Sequence, residues 1–188
     1  EAGPEMIGNP SVETVDPSAP AQPLAWEPDA WGTITAALTH PTGDAHTGTR
    51  YARVAITART SGDAKWRFEP VPVVASTVYT FSDWYRASAS TELVVEVTAA
   101  TGAVSWIWLR SVPAATAWTQ VSASFTTPAN AAEVTVLHLL QSVGSLDTDD
   151  SSLSIGTAGP DTTVAPTTTV APATTVAPTT TVAPTTTV

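Results

Sequence analysis

The stretch that decides the fold is Val78–Arg86, which reads VYTFSDWYR. Its alternate side chains form two sets: Tyr79, Phe81, Asp83 and Tyr85 on one parity, and Thr80, Ser82, Trp84 and Arg86 on the other. Successive side chains of a β-strand point to opposite faces of the sheet. The pattern therefore predicts a strand with one aromatic core face and a second face that carries a tryptophan beside a cation.

The rest of the first 158 residues also favours strands, because apolar residues nowhere keep the i, i+3, i+4 and i+7 spacing of a helix. The predicted strand segments are Trp31–Thr39, Thr49–Ala58, Lys65–Val74, Val78–Ser88, Leu93–Thr98, Val104–Val112, Trp118–Thr127, Ala132–Gln141 and Leu146–Ile155. About ten short antiparallel strands at hairpin spacing are typical of an all-β sandwich or jelly roll. We predict that fold class for residues 1–158.

The segment 159–188 differs sharply in composition and predicts a second, disordered region. It repeats Thr, Val, Ala and Pro in a hexad and contains no aromatic, Leu or Ile residue. Such a segment cannot bury enough apolar surface to offset the entropy of ordering it. Regularly spaced prolines favour extended geometry, so we expect a linker or stalk. An unmodified spacer and an O-glycosylated stalk both fit this composition.

Composition excludes several classes of function. The chain of 188 residues has no cysteine, so it has no disulfide framework and no cysteine nucleophile or zinc ligand. Its 17 acids and 7 bases give a formal net charge of −10, which would repel nucleic acid and anionic membranes. No apolar run approaches the length of a membrane span or a signal peptide. We expect a fragment of a secreted, extracellular or cell-surface protein, without membrane insertion.

Several motifs together resemble a known family. The relevant segments are GNPSVE (Gly8–Glu13), the Trp26 that follows a Pro-rich segment, HTGTRYARV (His46–Val54), VYTFSDWYRA (Val78–Ala87), AWTQVSASFTTPANAAEVTV (Ala117–Val136) and TDDSSLSI (Thr148–Ile155). In this order and spacing they resemble the CenC-like jelly-roll carbohydrate-binding modules, of families four, nine and twenty-two. Those modules bind cellulose, xylan and other β-glucans without catalysing a reaction. Val12 departs from the pattern, since the family usually has Phe there.

The resemblance implies a groove of aromatic and polar residues. Trp106 follows the Gly102 turn where the family carries a groove aromatic, and Trp108 shares its parity. Glu96, on the preceding strand, falls where the family places a polar groove residue. A flat indole ring can cover the apolar C–H face of a sugar while polar neighbours bond its hydroxyls. The alternative is that one or both of these tryptophans are core residues.

Further candidates lie on the strands around Val78–Arg86. Trp84 and Arg86 are supporting candidates, and Trp66 and Phe68 share a parity that predicts the core. Arg67, on the opposite parity, could then hydrogen-bond sugar hydroxyls, whereas a cross-strand ion pair is the alternative for its charged neighbours. The resemblance also implies that Trp118 and Trp26 pack inside.

Asp83 is anomalous because it shares the parity of the aromatic core face. A buried carboxylate needs a partner. We expect either a buried polar network with His138 or Arg67, or a hydrogen bond in the ligand groove.

Family resemblance also implies one structural calcium ion between the N-terminal and last strands. The matching positions are Ser11, Glu13, Gly48 in its turn, Asp149 and Asp150. Carboxylate and backbone oxygens are the ligands that Ca²⁺ takes in proteins. The alternative is strand hydrogen bonding beside solvated acids.

Enzymatic activity is not predicted. The three histidines form no HExxH motif, and no G-x-S-x-G motif is present. Asp83 and Glu96 are two carboxylates, as a glycosidase requires, but pairs of acids are common. We expect a non-catalytic, monomeric module that binds polysaccharide and is joined by the stalk to another domain or a surface anchor. A structural or adhesive spacer domain without a glycan ligand is the alternative.

Overall fold

A computed structural model describes residues 3–156, in which every regular element is a β-strand. The strands are β1 (Trp26–Trp31), β2 (Ile34–Thr39), β3 (Ala52–Arg59), β4 (Asp63–Phe68), β5 (Val71–Pro72), β6 (Val78–Ala87), β7 (Thr91–Ala99), β8 (Val104–Val112), β9 (Ala115–Thr126), β10 (Ala131–Leu140) and β11 (Gly144–Ile155). None of the described residues belongs to a helix that could cross a membrane. The predicted stalk, 159–188, lies outside the described residues.

The strands form two antiparallel sheets that pack face to face. The first sheet has the order β1-β4-β10-β7-β8, with β5 also paired to β10. The second has the order β2-β3-β11-β6-β9. This is a β-sandwich of the jelly-roll type, which confirms the predicted fold class.

The core lies between the sheets and is built from alternate side chains. Along β6 the odd-numbered positions are buried and the even-numbered ones half-buried, so Tyr79 and Phe81 are only 1% and 2% exposed. Their place in the core is confirmed. Trp66 and Phe68 of β4, in the first sheet, are also buried in the core and face the second sheet, as their shared parity predicted. The side chains of the other parity therefore lie on the outward faces of the two sheets.

Two predicted strands, Trp31–Thr39 and Lys65–Val74, are each divided in the structure, the latter into β4 and β5. Trp31–Thr39 breaks at Gly32 and Thr33, and its halves join different sheets. A Cβ built on Gly32, whose φ is +91°, would lie 2.6 Å from the Cα of Gly62. The two glycines therefore allow a close backbone approach where the chain passes from one sheet to the other.

The N-terminal segment extends the second sheet at β11. The N–H of Met6 donates to the carbonyl of Leu153 at 3.0 Å, and the N–H of Ser151 donates to that of Pro10 at 2.9 Å. Trp26 is buried beside Phe68, with ring centroids 5.5 Å apart in an edge arrangement. Trp26 is thus a packing residue, as the resemblance implied.

Replacing the central aromatic residue of β6 tests the assignment of its faces. We expect Phe81→Ala to lower the free energy of unfolding by about 3–5 kcal/mol, because it leaves a cavity between the sheets. Ser82→Ala, on the outward face, is the matched control and should change it by less than about 0.5 kcal/mol. Urea denaturation measures both, and equal effects would contradict the assignment.

Candidate functional site

The outward face of the first sheet carries two exposed tryptophans on its edge strand β8. Trp106 is 62% exposed and Trp108 is 51% exposed. Trp106 lies opposite Glu96 of β7 in the strand register, and Trp108 lies opposite Val94. All four side chains are therefore on one face, as parity predicted for the two tryptophans.

Side chains at the centre of this face are covered, whereas those on its edge strands are exposed. Thr135, Leu137 and Leu139 of β10 have outward parity, because His138 between them points into the core. They are nevertheless only 1%, 3% and 5% exposed. Neighbouring side chains therefore cover the centre, and exposed indole rings stand at the two edges of the face. We call it the trough: the outward face of the first sheet between Trp31 on β1 and Trp106 and Trp108 on β8.

Charged side chains bonded to one another line the trough. Arg67 Nη2 donates to Glu96 Oε1 at 2.6 Å, and Arg67 Nε lies 3.5 Å from Glu27 Oε1. Gln141 Nε2 donates to Glu92 Oε2 at 3.0 Å. The Arg67–Glu96 bond is charge-assisted and holds both groups in place beside Trp106. Arg67 and Glu96, predicted separately as polar site residues, are brought together.

Four further trough residues, Asp29, Trp31, Asp63 and Lys65, were not predicted as site residues. Lys65 is 6% exposed and contacts two carboxylates, Asp63 at 2.7 Å and Asp29 at 3.0 Å. The indole N–H of Trp31 donates to the same Asp63. The signal was present in WEPDAW, where Glu27, Asp29 and Trp31 share a parity. The predicted strand Trp31–Thr39 begins at Trp31, and it therefore separates this residue from Glu27 and Asp29.

Trp84 and Arg86 do not belong to this trough, which corrects the grouping of Trp84 with Trp106. They lie on β6 of the second sheet and on its outward face, on the far side of the molecule from β8. His46 stacks on Trp84 with ring centroids 3.9 Å apart. Arg86 donates to Asp147 at 2.7 Å and also contacts Asp44. We call this set the second-sheet cluster: His46, Tyr51, Arg53, Trp84, Arg86, Trp118 and Asp147.

The second-sheet cluster also corrects the prediction for Trp118. Rather than packing in the core, its half-buried ring lies on the outward face with the Arg86 guanidinium 4.7 Å from the ring centroid. The guanidinium also lies 5.2 Å from the centroid of the Tyr51 ring. Asp147 is 3% exposed and accepts from both Arg53 and Arg86. These groups satisfy one another, and Arg53, Arg86 and Asp147 also line a shallow depression on this face.

Asp83 lies in the core and not in a groove, so its inclusion among ligand-binding residues is wrong. It is 1% exposed and its Oδ2 lies 2.8 Å from Nδ1 of His138, across the interior. The other ring nitrogen of His138 lies 2.7 Å from the hydroxyl of Thr91. This is the buried polar network with His138 that was one of the two expectations. It also separates Asp83 from Glu96, so those two carboxylates cannot flank one glycosidic bond.

The residues predicted for calcium come together as two groups. Glu13 accepts N–H bonds from Thr49 and Arg50 at 2.9 and 2.7 Å, and Gly48 lies so close that a Cβ there would meet the Glu13 carboxylate at 2.5 Å. Burial alone would raise the pKa of Glu13, but these N–H bonds lower it. Ser11 is half-buried in the loop before Glu13.

The second group joins the last strand to the turn at His46. Asp149 Oδ2 accepts from the N–H groups of His46 and Thr47, at 2.9 and 3.1 Å. Asp150 contacts the His46 ring at 2.6 Å. Burial raises the pKa of Asp149 to about 6, and the neighbouring Asp150 adds to the rise.

These contacts fit a calcium ion poorly. Backbone N–H donors point at both Glu13 and Asp149, whereas a cation needs oxygen atoms turned towards it. Residues 3–156 contain no group of three or more His, Cys, Asp or Glu side chains arranged to hold a metal ion. The calcium site stays a prediction, tested below.

Comparison with solved structures finds a similar fold in several carbohydrate-binding modules and in a phage tailspike domain. No family model matches the sequence, and no curated protein does. Among solved structures, the CBM22-1 xylan-binding domain of Paenibacillus barcinonensis Xyn10C is similar with a TM-score of 0.56 at 14% identity, over 82% of this chain and 94% of that one. A CBM4 module gives a TM-score of 0.57 at 16% identity, over 80% of this chain and 99% of the module.

Two other structures widen the comparison. TmCBM61, solved with β-1,4-galactotriose, has a TM-score of 0.53 at 14% identity, over 82% of this chain and all (100%) of that one. The enzymatically active domain of bacteriophage CBA120 tailspike protein 4 has a TM-score of 0.61 at 11% identity, over 80% of this chain. This chain spans only 21% of that tailspike chain. At these identities the likeness shows a shared fold: the jelly-roll sandwich of carbohydrate-binding modules.

The Asp83–His138 pair provides a stability test. We expect Asp83→Ala to lower the free energy of unfolding by about 3–5 kcal/mol, because it leaves His138 buried without its partner. The folded fraction should bind any ligand with unchanged affinity, since Asp83 does not reach the surface. Urea denaturation and ligand titration measure the two effects, and a loss of affinity with unchanged stability would return Asp83 to the binding site.

Calcium dependence is tested by chelation. Because N–H donors already satisfy the carboxylates, we expect EDTA to leave the melting temperature unchanged within about 1 °C. Bound calcium at a hundred times its Kd would add about 2.7 kcal/mol of stability. A rise of about 5 °C or more on adding CaCl₂ to chelated protein, measured by differential scanning calorimetry, would establish the predicted site.

Proposed function

We propose that this chain is a non-catalytic carbohydrate-binding module of the CenC-like type, which holds a polysaccharide in the trough. The observation that carries the proposal is the pair of exposed tryptophans, Trp106 and Trp108, at the edge of a sheet face whose central side chains are buried. Exposed aromatic rings beside a concave, partly apolar surface are typical of ligand sites.

The trough supplies both kinds of contact that a sugar ring needs. The indole rings of Trp106 and Trp108 exclude water from the apolar face of a pyranose. Arg67 and Glu96 are fixed to each other at 2.6 Å, so they meet the hydroxyl groups in a preset orientation. Each carboxylate keeps free lone pairs for hydroxyl donors, because it has about four acceptor sites in all.

A neutral β-linked polysaccharide of plant or microbial cell walls, such as a xylan or β-glucan, is the ligand class we propose. The similar structures support it, since one is described as a xylan-binding domain and another was solved with β-1,4-galactotriose. The net charge of −10 also disfavours acidic polymers.

The biological role that follows is to direct an attached domain to a polysaccharide. A single module binds modestly, and tethering raises its effectiveness by increasing the local concentration of an attached domain. In this proposal residues 159–188 form the tether between the module and a catalytic domain or surface anchor. The module would act outside the cell as a monomer.

A spacer domain without a glycan ligand is the competing proposal, and tryptophan exposure bears on it. A pure spacer gains nothing from indole rings in water, whereas Trp26 and Trp66 show that this fold can bury tryptophan where packing requires it. The exposure of Trp106 and Trp108 therefore favours the binding module.

Affinity electrophoresis tests the proposed function directly. Native gels containing xylan, mixed-linkage β-glucan, hydroxyethylcellulose, galactan or mannan would each be run with the full chain. We expect retardation by at least one polymer, and Trp106→Ala should weaken that binding at least tenfold, which corresponds to about 1.4 kcal/mol. The melting temperature should be unchanged, because the ring is exposed.

Trp84→Ala is the matched control, since it removes a tryptophan from the outward face of the other sheet. Its mobility in the same gels should equal that of the wild type. If no polymer retards the wild type, or if Trp106→Ala melts earlier and binds normally, the spacer proposal is the better one.

A further inference from the structure

We propose that Trp31 forms a second aromatic subsite at the far edge of the trough, so that the ligand is an uncharged glycan long enough to cross all five strands. This inference rests on the proposed function and specifies its ligand. It concerns a residue for which the sequence predicted no role, and it depends on where the exposed tryptophans lie.

All three exposed tryptophans of the chain are on the same face of the same sheet. Trp31 is 60% exposed, close to the 62% of Trp106 and the 51% of Trp108. The other four, Trp26, Trp66, Trp84 and Trp118, are buried or half-buried. Single exposed apolar residues need no explanation, but three on one face do.

Trp31 lies at one edge of that sheet, and Trp106 and Trp108 lie at the other edge. Trp31 ends β1 and the other two lie on β8, and these are the two edge strands of the order β1-β4-β10-β7-β8. Adjacent strands are about 4.8 Å apart, so four intervals separate the two edge strands by about 19 Å. The register places Trp108 level with Glu27, four residues before Trp31, which adds a displacement of about 13 Å along the strands, so the line between the rims is a diagonal. A glycan that contacts both rims must therefore cross the strands over the buried floor of Leu137 and Leu139.

The Trp31 ring is held in place by groups that also line the trough. Its N–H donates to Asp63 in the register pair Trp31–Asp63. Asp63 in turn accepts from Lys65 at 2.7 Å, and the same ammonium group contacts Asp29 at 3.0 Å. A ring oriented by a fixed, nearly buried ion pair loses little freedom on binding, which favours affinity.

The charge along the trough selects against acidic ligands. Six carboxylates, those of Glu27, Asp29, Asp63, Glu92, Glu96 and Glu133, have outward parity on this face, with only two cations, Lys65 and Arg67. Both cations are already paired with carboxylates at 3.0 Å or less. A glycan bearing uronates would meet unbalanced negative charge, whereas a neutral glycan offers hydroxyl donors that the carboxylates accept.

Ligand length is the variable that separates this inference from the proposed function. Isothermal titration would use xylo-, cello- and β-1,4-galacto-oligosaccharides of two to six residues, with oligogalacturonates of the same lengths as the charged control. In the wild type, affinity should rise with length until both rims are reached. In Trp31→Ala, short oligosaccharides should bind as in the wild type, and the hexasaccharide should bind about tenfold more weakly. Oligogalacturonates should not bind at any length.

A second substitution distinguishes the ring from its hydrogen bond. Trp31→Phe keeps an aromatic face and loses the N–H, so it should retain most of the gain in affinity with length. Equal losses in Trp31→Phe and Trp31→Ala would overturn the platform role, and so would hexasaccharide affinity in Trp31→Ala equal to that of the wild type. Either result would leave the proposed function intact as long as Trp106→Ala weakens binding. Tight binding of oligogalacturonates would overturn the uncharged ligand class. If no series binds to the wild type, both the inference and the proposed function fail.

Discussion

The alternation of inward and outward side chains along each strand is the constraint on which the rest of this structure depends. On β7, Leu93, Val95 and Val97 are at most 1% exposed, while Glu92 and Glu96 stand on the opposite face of the same strand. One strand therefore supplies the core and the trough at once. A shift of one residue in its pairing would exchange the two sets, so the packing of the core also fixes the position of every group in the trough.

Features that depend on this local alternation could be predicted from the sequence. The shared parity of Trp106 and Trp108, the inward position of Trp66 and the opposite position of Arg67 all follow from a period of two. So does the burial of Asp83, whose neighbours of the same parity are aromatic. The partner of Asp83, His138, was among the candidates because it lies in the middle of an apolar strand. Each of these inferences needs only the residues of one strand.

Features that depend on strand order could not be predicted in the same way. Parity says that Trp84 points outward from β6, but not that β6 and β8 belong to different sheets. Similarly, nothing within WGTITAALT shows that the chain leaves one sheet at Gly32 and enters the other. Because the sequence does not show which sheet each strand joins, Trp84 was grouped with Trp106 and Trp31 was given no role. Contacts between strands distant in sequence decide the order of strands in each sheet, and alternation within a strand carries no information about those contacts.

The placement of the tryptophans on edge strands has a consequence for solubility. An edge strand offers unpaired backbone groups to a second chain, and exposed indole rings beside it add apolar surface that another copy could cover. This molecule places Glu27 and Asp29 on the same edge strand as Trp31, within a chain of net charge −10. Each copy is therefore repelled by the next at the surface where association would otherwise begin. The acids of the trough thus keep the proposed binding face open as well as lining it.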